Sequence, residues 1–131
     1  DLLTVRTAGQ SLSGVALGSI EFGVCTLGVP LVVVLGHTNC GAVLAAIGHD
    51  HITGHLGELI GEVAARLVDI VGDDPIRATG GNLKATVEAL RQLGTLEHGG
   101  DPAHVVGVLY DLETGLVAVH DDAGLLAGDR A

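Results

Sequence analysis

The sequence predicts an α/β fold: a mainly parallel sheet with flanking helices on both faces and a C-terminal antiparallel hairpin at one edge. Leu31 to Leu35 is an unbroken apolar run between Pro30 and Gly36, the pattern of a strand buried on both faces. Apolar residues recur at helical spacing on either side of that run. Val105 to Tyr110 and Leu116 to His120 flank Asp111-Leu-Glu-Thr-Gly115, which reads as two strands joined by a tight turn.

Composition bounds the function. The 131 residues, 47% hydrophobic, suit a single domain over 1–131 with a real core. A formal charge of −10 with six Lys and Arg argues against nucleic acid, which needs clustered cations. No apolar stretch reaches the roughly 18 to 20 uncharged residues that span a bilayer, and no basic segment precedes a signal-like core. Two cysteines separated by a predicted helix and strand are not a disulfide framework, so a reducing cytoplasm is expected. The first residue is Asp1 rather than Met, and the expectation is a fragment, a processed form or a domain of something longer.

Taken in order, Leu2 to Val5 reads as a short strand, followed by a turn through Arg6 to Gln10 in which Gly9 supplies the freedom. Arg6 is either a solvated charge or a group facing an anionic site. Ser11 or Ser13 caps the next helix, Leu12 to Leu27, closed by Gly28. Strand, helix and the strand at Leu31 make a βαβ unit that should cross over right-handed. Cys25 on this helix reads as a buried structural thiol. A short helix over Ala42 to Ile47 leads to a His-rich loop with His49, Asp50, His51 and His55, read as solvated rather than as a second metal site. Leu56 to Val71 is an amphipathic helix ended by Gly72-Asp-Asp-Pro75. Ile76 to Gly81 reads as a linker, and Asn82 as the cap of a helix through Leu93 with Leu83, Val87 and Leu90 inward and Lys84, Glu88 and Arg91 outward. His98 to Pro102 is a loop, and the acidic, Gly-rich tail from Asp121 reads as frayed or partner-bound.

The polar residues that interrupt this pattern most sharply are His37 and Cys40, where the buried strand hands over to the short helix. Ligands of open α/β sheets bind beyond the carboxyl ends of strands. A His and a Cys three apart can turn a nitrogen and a sulfur towards one point, and zinc takes such a pair readily. The same two residues also fit a hydrogen-bonded histidine and a small apolar filler.

The string VVLGHTNCGAV, with GSIEFGVCTLGVP before it, resembles the second half of the zinc motif of the β-class carbonic anhydrases. DLLTVRTAGQ resembles that family's strand-and-turn segment and VVGVLYDLETGLVAV its closing hairpin, so the resemblance covers most of the chain. By position it implies that His37 and Cys40 are the second and third zinc ligands and that Gly41 is the glycine after them. His55 falls in a family segment rather than at a ligand position. The family's first ligand belongs to a CxDxR motif whose Asp and Arg pair beside the metal; no CxDxR occurs in this sequence. Cys25 is then the remaining sulfur that could replace that ligand. In the family the CxDxR strand lies between those matched here by Leu2–Val5 and Leu31–Leu35. Unpaired interior backbone groups cost about 1–3 kcal/mol each, so a further segment, another subunit or a rearranged sheet must fill the gap. The implied activity is zinc-dependent reversible hydration of carbon dioxide to bicarbonate by a homodimer or tetramer. The alternatives are an inactive scaffold or interaction domain, and a zinc hydrolase acting on a related heterocumulene such as carbon disulfide.

Overall fold

In the computed structural model, which describes residues 1–48, 52–68, 74–121 and 124–125, the apolar run becomes strand β1 (Leu31–His37). It pairs in parallel with β4 (His104–Tyr110) over seven register positions, from Leu31↔His104 to His37↔Tyr110. β4 pairs antiparallel with β5 (Val117–Asp121) over four positions, and β5 with β6 (Gly124–Leu125) over two, giving the order β1-β4-β5-β6. The parallel ladder is therefore the longest, with the antiparallel hairpin at its side. Two-residue strands β2 (Glu97–His98) and β3 (Asp101–Pro102) pair where a plain loop was expected.

Four α-helices accompany the sheet among the described residues: α1 (Gly14–Glu21), α2 (Gly41–Ile47), α3 (Gly54–Ala65) and α4 (Pro75–Arg91). Ser13 caps α1 by accepting from Ala16 N, and a π turn over Phe22–Thr26 carries the chain to Gly28, whose φ of +69° ends it. The predicted linker at Ile76 to Gly81 is instead the first part of α4. Asp74 Oδ1 accepts from Ile76 N at 2.9 Å and Pro75 occupies the first turn, so the start signal lies eight residues before Asn82. Burial of Ala78, Thr79 and Gly80 compensates the poor helix propensity of the Gly pair. The helix predicted to Val71 ends at Ala65 instead, with a turn over 66–68; residues 69–73, and most of the tail at 122–123 and 126–131, lie outside the described residues.

Leu2 to Val5 does not form the predicted strand, so the βαβ unit it would have begun is absent; the parallel crossover runs from β1 to β4 instead. Leu2 is 96% exposed, and Leu3 rests where a Cβ on Gly23 would meet its Cδ2 at 2.5 Å. A strand needs a ladder partner, and among the described residues β1 pairs with β4 alone. The second difference lies on the sheet faces. Val34, Val105 and Leu109 are buried with Leu83, Val87 and Leu90 of α4 and with Val24, whereas Leu31, Val33 and Leu35 are about half exposed at 49%, 50% and 59%. The described helices thus cover one face of β1, not both. A second core joins α2, α3 and the start of α4 through Val43, Ala46, Ile60, Val63 and Ala78. No described helix is long and apolar enough to cross a membrane.

Candidate functional site

The end of β1 is shaped by a backbone reversal. Thr38 and Asn39 form the turn, Asn39 takes a left-handed φ of +55°, and Cys40 returns to an extended conformation as the residue that starts α2. Asn is among the few side chains that accept such a φ without much strain. The reversal leaves His37 half-buried at the strand end, in register with Tyr110, and buries Cys40 against the α2–α3 core.

His37 Nδ1 lies 2.9 Å from the carbonyl oxygen of Thr38. A carbonyl only accepts, so Nδ1 carries the hydrogen and the neutral ring keeps its lone pair on Nε2. No described residue is hydrogen-bonded to Nε2. Thr38 is itself held twice: its N–H donates to Tyr110 O at 3.0 Å, and its Oγ1 accepts from Leu112 N at 3.0 Å. Zinc ligands commonly have a histidine whose other nitrogen donates to a carbonyl in this way.

Behind the junction lies a polar web that sequence reasoning missed. Gly9 and Gln10 both take left-handed φ values of +60° and +58°, and a Cβ on Gly9 would meet Val63 Cγ2 at 2.6 Å. Gln10 Oε1 accepts from Asn82 Nδ2 at 3.2 Å and Thr86 Oγ1 at 3.4 Å, which turns its Nε2 to within 3.0 Å of where a Cβ on Gly36 would stand. Asn82 Nδ2 also donates to Gly9 O at 3.0 Å. Arg66 Nη1 donates to Gly9 O, Gln10 O and Asn82 Oδ1 at 3.2 to 3.3 Å, and its Nη2 pairs with Glu62. Glu62 in turn accepts from Leu12 N at 2.8 Å and from the Ser11 hydroxyl at 2.5 Å, so Ser11 serves the web rather than the helix cap. Burial pushes the Arg66 pKa down, and the Glu62 carboxylate opposes that shift. The signal available in the sequence was only a Gly before a polar residue and an Asn after a Gly pair.

The other singled-out residues lie elsewhere. Cys25 is exposed, contrary to the buried thiol expected, because the π turn carries it to the surface, where its Sγ donates to Thr95 O at 3.1 Å. It is held to the 95–98 segment, and His98 Nδ1 bonds to its carbonyl. Arg6 is exposed with no hydrogen bond or ion pair to a described residue. His55 is exposed and contacts Glu58 at 3.3 Å, while His49, Asp50 and His51 lie outside the described residues. Among the described residues no three His, Cys, Asp or Glu side chains gather as a metal group.

A sequence profile described as carbonic anhydrase matches residues 1–117. Carbonic anhydrase 2 of Mycobacterium tuberculosis is 34% identical over 138 aligned positions, covering 95% of this chain and 65% of that protein. The chain thus spans about 65% of that curated relative's length. Among solved structures, the β-carbonic anhydrase CcaA matches with a TM-score of 0.71 at 21% identity, covering 93% of this chain and 64% of that one. A structure from work on two tetrameric β-carbonic anhydrases of Sordaria macrospora matches with a TM-score of 0.68 at 23% identity, over 83% of this chain and 61% of that one.

Proposed function

Since the chain belongs to the carbonic anhydrase family, of the β class by its fold, we propose that it serves the reversible hydration of carbon dioxide to bicarbonate, with zinc held by His37 and Cys40. The observation that carries this reading is the His37 ring, whose Nδ1–H is committed to the Thr38 carbonyl and whose Nε2 is left as a donor at the strand end. One imidazole nitrogen and one sulfur suit zinc chemically, but they are half of a tetrahedral set. A third protein donor has to come from outside the described residues. When bound, zinc acts as a Lewis acid that brings the pKa of a water near 7. This chain's own part is to fix the imidazole, keep the proton on Nδ1 and present the Cys40 sulfur from a packed position.

Association belongs to the same proposal. The tetrameric β-carbonic anhydrases of Sordaria macrospora support it, as do the half-exposed Leu31, Val33 and Leu35 on a strand unpaired along one side among the described residues. We assign the protein to the cytoplasm, which suits two free cysteines. The alternative, an inactive scaffold, draws on the packing of Cys40 into the α2–α3 core and on the two-donor set among the described residues. Metal analysis separates them: wild type should hold one zinc per subunit, and Cys40→Ser should lose most of it. Equal metal content in both proteins would sink the ligand assignment. Stopped-flow assay with added zinc should find these 131 residues alone far less active than a form carrying CxDxR.

A further inference from the structure

Thr38 uses its backbone N–H, its hydroxyl and its carbonyl at once: to Tyr110 O, from Leu112 N and from His37 Nδ1, at 3.0, 3.0 and 2.9 Å. The first two contacts go to the end of β4 and the start of the turn joining it to β5, and the third goes to the candidate ligand. Asn39, left-handed at +55°, limits how far the Thr38 carbonyl can swing. We propose that Thr38 is a positioning residue: it ties the end of β1 to the β4–β5 turn and so holds the carbonyl that fixes His37 in its Nδ1–H tautomer.

The hydroxyl is the replaceable part of this linkage. Valine has nearly the shape of threonine but offers no acceptor, so Thr38→Val leaves the Leu112 N–H unpaired and frees the turn from the strand end. Serine keeps the acceptor. Leu112→Pro removes the donor from the other side, at a residue that is 52% exposed and outside the core. With one of its two anchors gone and only the Tyr110 bond left, the carbonyl can turn and the Nε2–H tautomer competes; that form offers the metal no lone pair on Nε2. The tautomer follows from this geometry alone; its consequence for zinc rests on the function proposed above.

Two readouts on the full chain test it. Nitrogen-15 correlation spectra of the metal-free protein, taken where His37 is neutral, show which ring nitrogen carries the proton. Chelator competition gives the zinc affinity. Wild type and Thr38→Ser should show the Nδ1–H form, and Thr38→Val and Leu112→Pro a mixture. Zinc binding should weaken about tenfold in the latter two, the low end for groups that orient a ligand, with the double variant no worse than either alone. A pure Nδ1–H signal in both Thr38→Val and Leu112→Pro overturns the proposal, as does damage in Thr38→Ser equal to that in Thr38→Val. If wild type binds no zinc, the ligand assignment fails and the spectra decide the role of Thr38. If Thr38→Val does not fold, Leu112→Pro carries the same comparison.

Discussion

Behind β1, Arg66, Glu62, Asn82 and Gln10 satisfy one another's polar groups within the chain, whereas in front of it Leu31, Val33 and Leu35 stand half exposed with no described helix over them. In the first region Gly9 O, Gln10 O, Gln10 Oε1, Asn82 Oδ1 and the Glu62 carboxylate all accept hydrogen bonds from within the chain, which matters because an unpaired buried group costs about 1–3 kcal/mol. The second region is apolar and open, and burying it gains about 25 cal/mol per Å². Stability and assembly should therefore separate: the inner web packs behind Gly36 from within the chain, and the outer face is where another surface adds.

The largest effect expected from this contrast is on the web. Arg66 is 12% exposed at its side chain, and its removal takes a hydrogen bond from Gln10 O, one of two from Gly9 O, and the counter-charge from the Glu62 carboxylate, which keeps Leu12 N and the Ser11 hydroxyl. Glu62 is 35% exposed and can rehydrate, which moderates the loss. Arg66→Met should lower the unfolding free energy by about 3 kcal/mol, at the low end for breaking a buried pair from one side. Urea unfolding monitored by circular dichroism measures it. A loss below about 1 kcal/mol, the size of one ordinary hydrogen bond, would mean that packing at Gly9 and Val63 sets the turn without the web.

A smaller effect should appear on the outer face, and in assembly rather than in folding. The pair Val33→Lys with Leu35→Lys should leave monomer stability within about 0.5 kcal/mol, as surface changes do. If that face is an interface between subunits, the same pair should weaken association more than tenfold, or about 1.4 kcal/mol, because it desolvates two ammonium groups on assembly. Sedimentation velocity across a concentration series reads the result. Unchanged association would move the interface to another surface, such as that around Val15 and Phe22, which are 84% and 54% exposed.

The two regions also differed in how far the sequence revealed them. Alternation and apolar runs located β1, β4, β5 and the inward residues Leu83, Val87 and Leu90, since period and composition are local properties. HTNCG stood out as a candidate site because its polar residues break an apolar pattern at a strand end. The web was not, because Gln10 and Asn82 are 72 positions apart and their pairing depends on tertiary approach. The same limit explains Leu2 to Val5, whose strand-like composition specifies no partner, and Gly80-Gly81, where packing overrode propensity. Exposure of Leu31, Val33 and Leu35 was equally hidden: a run apolar on both faces reads as buried on both, whatever does the covering.

The smallest expected effect joins the two regions at the β4–β5 turn. Asp111 Oδ1 accepts from Glu113 N at 2.8 Å and from Thr114 N at 3.1 Å, and Gly115 closes the turn with a φ of +73°. These backbone bonds, Thr114 first and Glu113 next, hold the Asp111 carboxyl below its ordinary pKa. A carboxyl whose pKa is lower folded than unfolded stabilises the fold above the unfolded value, near 4, and loses that contribution as the pH falls through the folded value. Asp111→Asn keeps an oxygen acceptor but has no charge to lose. The wild type should therefore lead the variant slightly in thermal midpoint near neutral pH, by a margin that shrinks as the pH drops below about 4. The partial exposure of Asp111 to solvent keeps the margin small. A lead that does not change with pH would assign the turn to Gly115 and its left-handed backbone instead of to the carboxylate. Since Leu112 N is bonded to Thr38 Oγ1 from this same turn, any pH-dependent loosening should also be visible in the amide resonance of Thr38, before the web behind β1 responds.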